Sequence, residues 1–355
     1  ATCEFGRNDD PSIVSGAEKM MFKDDGGAIA LITTARPVFS STNYDLNLAL
    51  YGSLFEQRNG QYARLGDVIK FTKNNSLNGS LNRNFILLGD PSMRLSYPSK
   101  EIELTEINGR PIDRQLPDTI RASDRISLRG RISQNGIVQE SFDGVVKLQL
   151  IDKSQTRQTK GTESQVFKFK ERNSLLFNGS ATVSNGIFEI DFVVPKNIDY
   201  NWGEGKIAMY AVNDEESTDA LGAFTDFTLG GSSNSVISDQ TPPLLNAFLN
   251  DTLSTAPFYA KQEALLLVKL TDENGINISN SGIGQELTAV LNDSISFNIN
   301  TYFDTDLDDF TTGWVKFPMR NLPIGKNKLS IKAWDNYNNS QSETLEFIVN
   351  NDNST

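Results

Sequence analysis

The first residues that could do chemistry are in the opening stretch ATCEFG, because Cys3 is the only cysteine among 355 residues and the sequence has no histidine. A single thiol can be a buried filler, a free surface group or a nucleophile. The nucleophile reading needs the cysteine at the carboxyl end of a strand, just before a glycine-containing loop. Residues 1–6 offer that context, with Gly6 in the loop and backbone N–H groups free to hold an oxyanion. The absence of histidine rules out a complete Cys-His or Ser-His-Asp set within these residues, and any histidine-ligated metal. The second candidate is TTARPVFSSTNYDLN (33–47), either a plain loop with a helix cap or one wall of a substrate pocket. In the second case Thr34, Val38 and Phe39 would line it, with Phe39 offering an aromatic face.

Three further stretches carry carboxylates. FDTDLDDF (303–310) spaces Asp304, Asp306 and Asp308 like a calcium loop. It has Asp309 where such a loop needs glycine and Val315 where it needs glutamate, so it reads as a solvated acidic turn. LTDENGIN (270–277) and KAWDNYNNS (332–340) read as turns bordering strands, with Trp334 in a core. No metal or other cofactor is expected.

The elements that must position these residues fall into two textures. Over residues 1–98, Asp10-Pro11 predicts a helix start, followed by Ile13, Val14, Ala17, Met20 and Met21 at helical spacing and a stop at Gly26-Gly27. AIALITT (28–34) and FILLG (85–89) are short apolar runs of the kind buried on both faces. Asn43 is expected to cap a helix carrying Leu46, Leu50 and Leu54, and Leu65, Val68 and Ile69 suggest a third. Strands alternating with helices predict a parallel α/β sheet. Its ligand edge would gather the Cys3 loop, the 33–42 loop and the GDPS loop after FILLG. Three strands are too few for such a sheet, so about half of the domain is expected upstream.

From about residue 101 the period becomes two, in ISLRGRI (126–132), VVKLQLI (145–151), GIFEIDFVV (186–194) and KIAMYAV (206–212), with a hairpin at Asn185-Gly186. A second set of strands follows in LLLVKL (265–270), LTAVL (287–291), WVKFP (314–318), KLSIKAWD (328–335) and TLEFIV (344–349). Many short alternating strands predict β-sandwiches. The expected division is 1–98, 99–231, a linker at 232–240 and 241–351.

Hydrophobic residues at 38% and charged residues at 22% describe an ordinary globular chain, and 45 acidic against 33 basic residues argue against nucleic acid as a partner. No apolar run approaches the roughly 18–20 residues of a membrane-spanning helix. No signal peptide opens the sequence, so it is expected to be a mature or excised piece.

TCEFG, GGAIALITTARPVFSS and NRNFILLGDPSMRLSYP, in this order, resemble the carboxyl-terminal half of gingipain-type cysteine peptidase domains, across residues 1–98. TPPLLNAFLND (241–251), LTDENGINISNSGIGQELTAVLND (270–293) and LPIGKNKLSIKAWDNYNNS (322–340) resemble the downstream modules of the PorU-type sortases of type IX secretion, which act at Bacteroidetes outer membranes. The resemblance implies a caspase-like α/β half-domain followed by two Ig-like β-sandwich domains. It implies Cys3 as nucleophile, Gly6 in the nucleophile loop and Phe39 on the primary specificity pocket. The implied reaction removes the carboxyl-terminal signal from a cargo protein at the cell surface and passes the cargo to water or to a lipopolysaccharide amine. The implied partners are the upstream half of the peptidase domain, the cargo signal domain and an outer-membrane shuttle protein. The family's catalytic histidine and its orienting acid lie upstream of the cysteine, so these 355 residues alone are expected to be inactive, and 1–98 alone insoluble. Two other readings stay open: a non-catalytic surface binding module with a degenerate peptidase remnant, and a broad-specificity secreted protease of gingipain type.

Overall fold

The computed structural model describes residues 4–58, 60–76, 80–162, 165–233, 238–253, 256–282 and 284–350. The chain divides into two compact units, Ala1–Tyr97 and Pro98–Thr355.

In the first unit, α1 (Gly16–Met21) starts five residues later than Asp10-Pro11 predicts. Ser15 caps it, accepting from the Glu18 N–H while the Glu18 carboxylate accepts from the Ser15 N–H at 2.8 Å. This reciprocal capping box outcompetes the proline signal. Asp10 instead folds a local turn with Ser12. β1 (Ala30–Thr34) follows, then α2 (Ser40–Leu54). Asn43 does not cap α2 but sits inside it, buried, with its carbonyl accepting from the Asn47 side chain. α3 (Leu65–Ser76) packs on α2, and β2 (Phe85–Gly89) returns to pair with β1. That pairing is antiparallel, Ala30 opposite Gly89 and Thr34 opposite Phe85, so the expected parallel sheet is not formed by these strands. The reason is parity: two helices, not one, separate the strands, and an even number of traverses brings the chain back to the end it left. Among the described residues β1 and β2 pair only with each other, and most of their side chains are only partly covered.

The second unit begins with β3 (Lys100–Ile107), β4 (Arg125–Gln134) and β5 (Gly144–Ile151). Next come a ribbon of β6 (Gln155–Gln158) and β7 (Lys168–Glu171), then β8 (Leu175–Ser184), β9 (Ile187–Val193), β10 (Lys206–Asn213) and β11 (Asp219–Phe224). The strands other than the ribbon join in the order β3-β11-β10-β5-β8-β9-β4, and β4 pairs back onto β3. The sheet is therefore a closed barrel and not the sandwich expected for residues 99–231. Period-two patterning states only that one face is buried, and both architectures satisfy it. Two glycines permit closure. A Cβ on Gly222 of β11 would lie 2.2 Å from the Ile102 carbonyl oxygen, and one on Gly130 of β4 would lie 2.3 Å from the Phe188 ring and 2.9 Å from the Glu103 oxygen. These positions flank β3 on its two sides, where it completes the ring. The interior is packed with Ile102, Leu128, Val146, Leu148, Leu150 and Phe192, none more than 4% exposed. Asn185 and Gly186 both take positive φ in the predicted hairpin turn.

The last module has two sheets around one core. β12 (Leu244–Leu249), β13 (Phe258–Ala260), β14 (Ala264–Thr271), β15 (Thr288–Leu291) and β16 (Ile295–Asn298) come first. β17 (Phe303–Asp306), β18 (Asp309–Met319), β19 (Gly325–Trp334) and β20 (Ser340–Val349) follow. One sheet runs β12-β14-β18-β17 and the other β13-β20-β19-β15-β16. Leu266, Val268 and Val315 from the first meet Ala289, Leu329 and Ile331 from the second.

The acidic turn between β17 and β18 is not merely solvated. Asp304 pairs with Lys147 of the barrel at 2.5 Å and accepts from Asn178, and Asp308 accepts from the Thr182 N–H and hydroxyl at 2.7 and 2.5 Å. Asn336 adds a bond from its side chain to the Val193 carbonyl at 3.1 Å. The two β-modules are thus docked through side chains from both. Replacing Gly222 by valine is expected to block barrel closure, lowering the unfolding free energy by about 2–3 kcal/mol in urea titrations.

Candidate active site and acidic cluster

Cys3 lies outside the described residues, and the loop that follows it does not. The Gly6 N–H donates to the Thr34 carbonyl at 3.0 Å, and the Glu4 N–H donates to the Thr34 hydroxyl oxygen at 3.1 Å. A Cβ on Gly6 would stand 2.2 Å from Cγ2 of Thr33, so only glycine lets the loop lie this close to the end of β1. Arg36 closes the arrangement with a 2.5 Å contact to Asp9. Further along the same loop Arg7 pairs with Asp10 at 3.0 Å, and hydrogen bonds from Ser12, then the nearby Arg7 and Arg36 charges, hold the Asp10 carboxyl below its ordinary range. The Cys3 loop and the 33–42 loop therefore meet at the carboxyl end of β1.

The third expected segment does not join them. Antiparallel pairing puts Gly89 opposite Ala30, so GDPS follows the far end of the strand pair. Asn84, just before β2, takes its place: its carbonyl accepts from the Ala35 N–H at 2.8 Å, and its side chain donates to the Pro37 carbonyl at 2.9 Å. Only the strand direction could have pointed to Asn84. Thr34 is buried and engaged with the Glu4 N–H, which makes it a brace for the loop. Val38 is half-buried, and Phe39 is 71% exposed at the N-cap of α2. Next to this junction is a cleft of about 180 Å³ lined by Phe5, Thr33, Asn43, Leu46, Asn47 and Phe85.

In the last module a second set of groups converges. Oxygens of Asp239, Asp272 and Asp335 lie within 4.8 Å of one another, a donor set that suits a hard divalent cation. Asp335 is fully buried and accepts from the Tyr337 and Asn339 N–H groups and the Asn339 side chain. Asp239 belongs to the expected linker and accepts from Thr241 and Asn274. Burial, then the neighbouring Asp335, Asp239 and Glu273 charges, push the Asp272 carboxyl up to about 7 against one bond from the Asn274 N–H. Burial raises Asp335 as well. By sequence both carboxyls belong to turns, and nothing in the sequence brings three separated segments together.

A raised folded-state pKa means that the folded protein holds its proton more tightly than the unfolded chain. The Asp272 contribution to stability is therefore fully present below about pH 4 and is lost as pH rises to about 7. Urea unfolding across that window is expected to show a flatter pH dependence in Asp272→Asn than in the parent sequence.

The family model of peptidase family C25 matches residues 1–96. No curated protein matches the chain. Among solved structures, the chain is similar to dimeric latent PorU from Porphyromonas gingivalis, with 26% identity and a TM-score of 0.45 over 85% of this chain and 29% of that one. A Salmonella alpha-2-macroglobulin mutant is similar at 10% identity and a TM-score of 0.23, over 75% of this chain and 17% of that one. The chain thus spans 29% of the length of the PorU structure it matches. No described helix is long and apolar enough to cross a membrane. By the match over its glycine loop, β1, both following helices and β2, the amino-terminal unit is a segment of peptidase family C25.

Proposed function

We propose that these 355 residues carry the nucleophile and downstream β-modules of a cell-surface C25 cysteine endopeptidase of the type IX sortase kind, with its histidine supplied by sequence outside them. The observation that supports this most is the anchoring of the loop after Cys3: the Gly6 N–H on the Thr34 carbonyl, with no room for a side chain at Gly6. A nucleophile loop has to be fixed before it can present a thiol and backbone donors to one carbonyl.

In this reading the Cys3 thiolate attacks the carbonyl at the junction between cargo and its carboxyl-terminal signal. The C–N bond breaks, the signal leaves as an amine that takes a proton from the histidine, and the cargo remains as a thioester on Cys3. Water or a lipopolysaccharide amine then attacks the thioester and frees the thiol. Phe39 and Val38 form part of the wall that receives the residue before the scissile bond, while Thr34 holds the loop in place. With no histidine in the sequence, the thiol has no paired base and remains a weak nucleophile at neutral pH. The barrel and the two-sheet module brace the peptidase or hold cargo, and the shuttle protein delivers it.

In the histidine-bearing polypeptide, Cys3→Ala is expected to reduce removal of the cargo signal by a factor of at least about 10³, and the isolated 355 residues are expected to release none. Signal removal that survives Cys3→Ala would support the non-catalytic binding module instead. Rapid turnover of simple Arg or Lys peptides by the same polypeptide would support a broad protease.

A further inference from the structure

The ribbon of β6 and β7 stands apart from the rest of its module. It continues the central barrel strands β5 and β8 outward, and its root is fixed. Lys153 and Asp152 are buried and joined at 2.8 Å, and the Lys153 ammonium also donates to the Asp199 carbonyl. Beyond that root, every described residue from 156 to 170 is exposed. Among the described residues β6 and β7 pair only with each other, Arg157 opposite Phe169 and Thr156 opposite Lys170. A lone two-stranded ribbon gains little in water, yet this one displays Val166, Phe167 and Phe169 at 53%, 65% and 40% exposure.

Its charge is opposite to that of the chain. Residues 155–172 hold five basic and two acidic residues, a net of +3 in a chain of net −12. Arg157 and Arg172 are paired with Glu171 and Glu204, whereas Lys160, Lys168 and Lys170 make no ion pair among the described residues. The two kinds of side chain are sorted by face. Phe167, Phe169 and Arg157 lie on one side of the ribbon, and Lys168, Lys170 and Thr156 on the other. The Thr159 N–H donates to the Phe167 carbonyl at 3.0 Å, so Phe167 points its backbone inward. By the alternation of an antiparallel ladder, Lys168 and Lys170 then direct theirs to the open edge of β7. Lysines alone would describe an edge guarded against pairing. Two exposed phenylalanines on the opposite face of the same strand do not fit that purpose.

We propose that β7 is a docking edge for an extended acidic peptide segment of a partner protein, which adds as a third strand. Its backbone pairs with the N–H and C=O groups of Lys168 and Lys170. Its carboxylates lie over those two ammonium groups, and its alternate apolar side chains lie over Phe167 and Phe169. Charge complementarity selects an acidic strand, and the sorting of faces selects one that alternates acidic and apolar residues.

The test uses the 355-residue protein and a fluorescein-labelled synthetic peptide of alternating Asp and Val, read by anisotropy. Saturable binding is expected that weakens with salt. It should fall at least about tenfold in K168E/K170E and in F167S/F169S, with unchanged circular dichroism and melting temperature in both. It should also be lost when alternate peptide nitrogens are methylated, a change that removes backbone donors and leaves the charges. No binding, equal binding of the methylated peptide, or equal binding of a Lys-Val peptide would overturn the proposal. So would binding that the same substitutions abolish only towards vesicles of phosphatidylglycerol, because the ribbon would then be a lipid-contacting arm.

Discussion

The closeness of Gly6 to Thr33 is the constraint on which the amino-terminal unit turns. With 2.2 Å between a would-be Cβ and the threonine methyl, the loop can rest on β1 only as bare backbone. The contact brings the Gly6 N–H to the Thr34 carbonyl, sets the Glu4 N–H on the Thr34 hydroxyl and lets Arg36 reach Asp9. Two loops that are thirty residues apart in sequence become one surface, and Phe39 and the cleft lined by Phe5 and Phe85 lie beside it. The same logic recurs in the barrel, where Gly130 and Gly222 leave space for β3 to close the ring. In both places a missing side chain lets two backbones meet, and the surrounding packing then holds them there.

The β-modules are joined largely through polar contacts between two separate apolar cores. Lys147 with Asp304, Asp308 with Thr182, and Asn336 with the Val193 carbonyl all cross the junction. Apolar packing crosses it at two places, where Phe310 of β18 packs against the barrel core and Leu175 of β8 against the core of the last module. Such a junction gives orientation at modest energetic gain, since part-exposed ion pairs contribute only about 0–1 kcal/mol each. The angle between the two modules is therefore fixed more than their stability is raised.

Much of the strand content was legible because alternation is a local property. ISLRGRI, VVKLQLI and KLSIKAWD lie on β4, β5 and β19, and Asn185-Gly186 turns as its residue types require. The closure of the barrel was not legible, because a buried face looks the same in a barrel and in a sandwich. The direction of β2 was within reach: two helical patterns between two strands imply antiparallel return, and the parallel expectation overlooked that parity. Helix starts were misjudged at Asp10 and Asn43, where a capping box at Ser15 and an uncapped start after Phe39 prevailed. In the site, Gly6 and the 33–42 loop met as their positions in the pattern suggested. Asn84 and the Asp239, Asp272 and Asp335 cluster depend on contacts between distant segments, which a single sequence does not reveal.

The central claim is that the loop pinned to β1 presents a nucleophile. A peptidyl acyloxymethyl ketone that mimics the cargo–signal junction tests it most directly. It is mixed with the histidine-bearing polypeptide, and the adduct is located by peptide mass spectrometry. A single adduct on Cys3 is expected, formed rapidly in the folded protein and only slowly in the isolated 355 residues and in protein denatured before the reagent is added. Equal labelling of the folded polypeptide, the isolated 355 residues and the denatured protein would show an ordinary exposed thiol and contradict the account, as would a folded, signal-cleaving protein in which Cys3 stays unmodified.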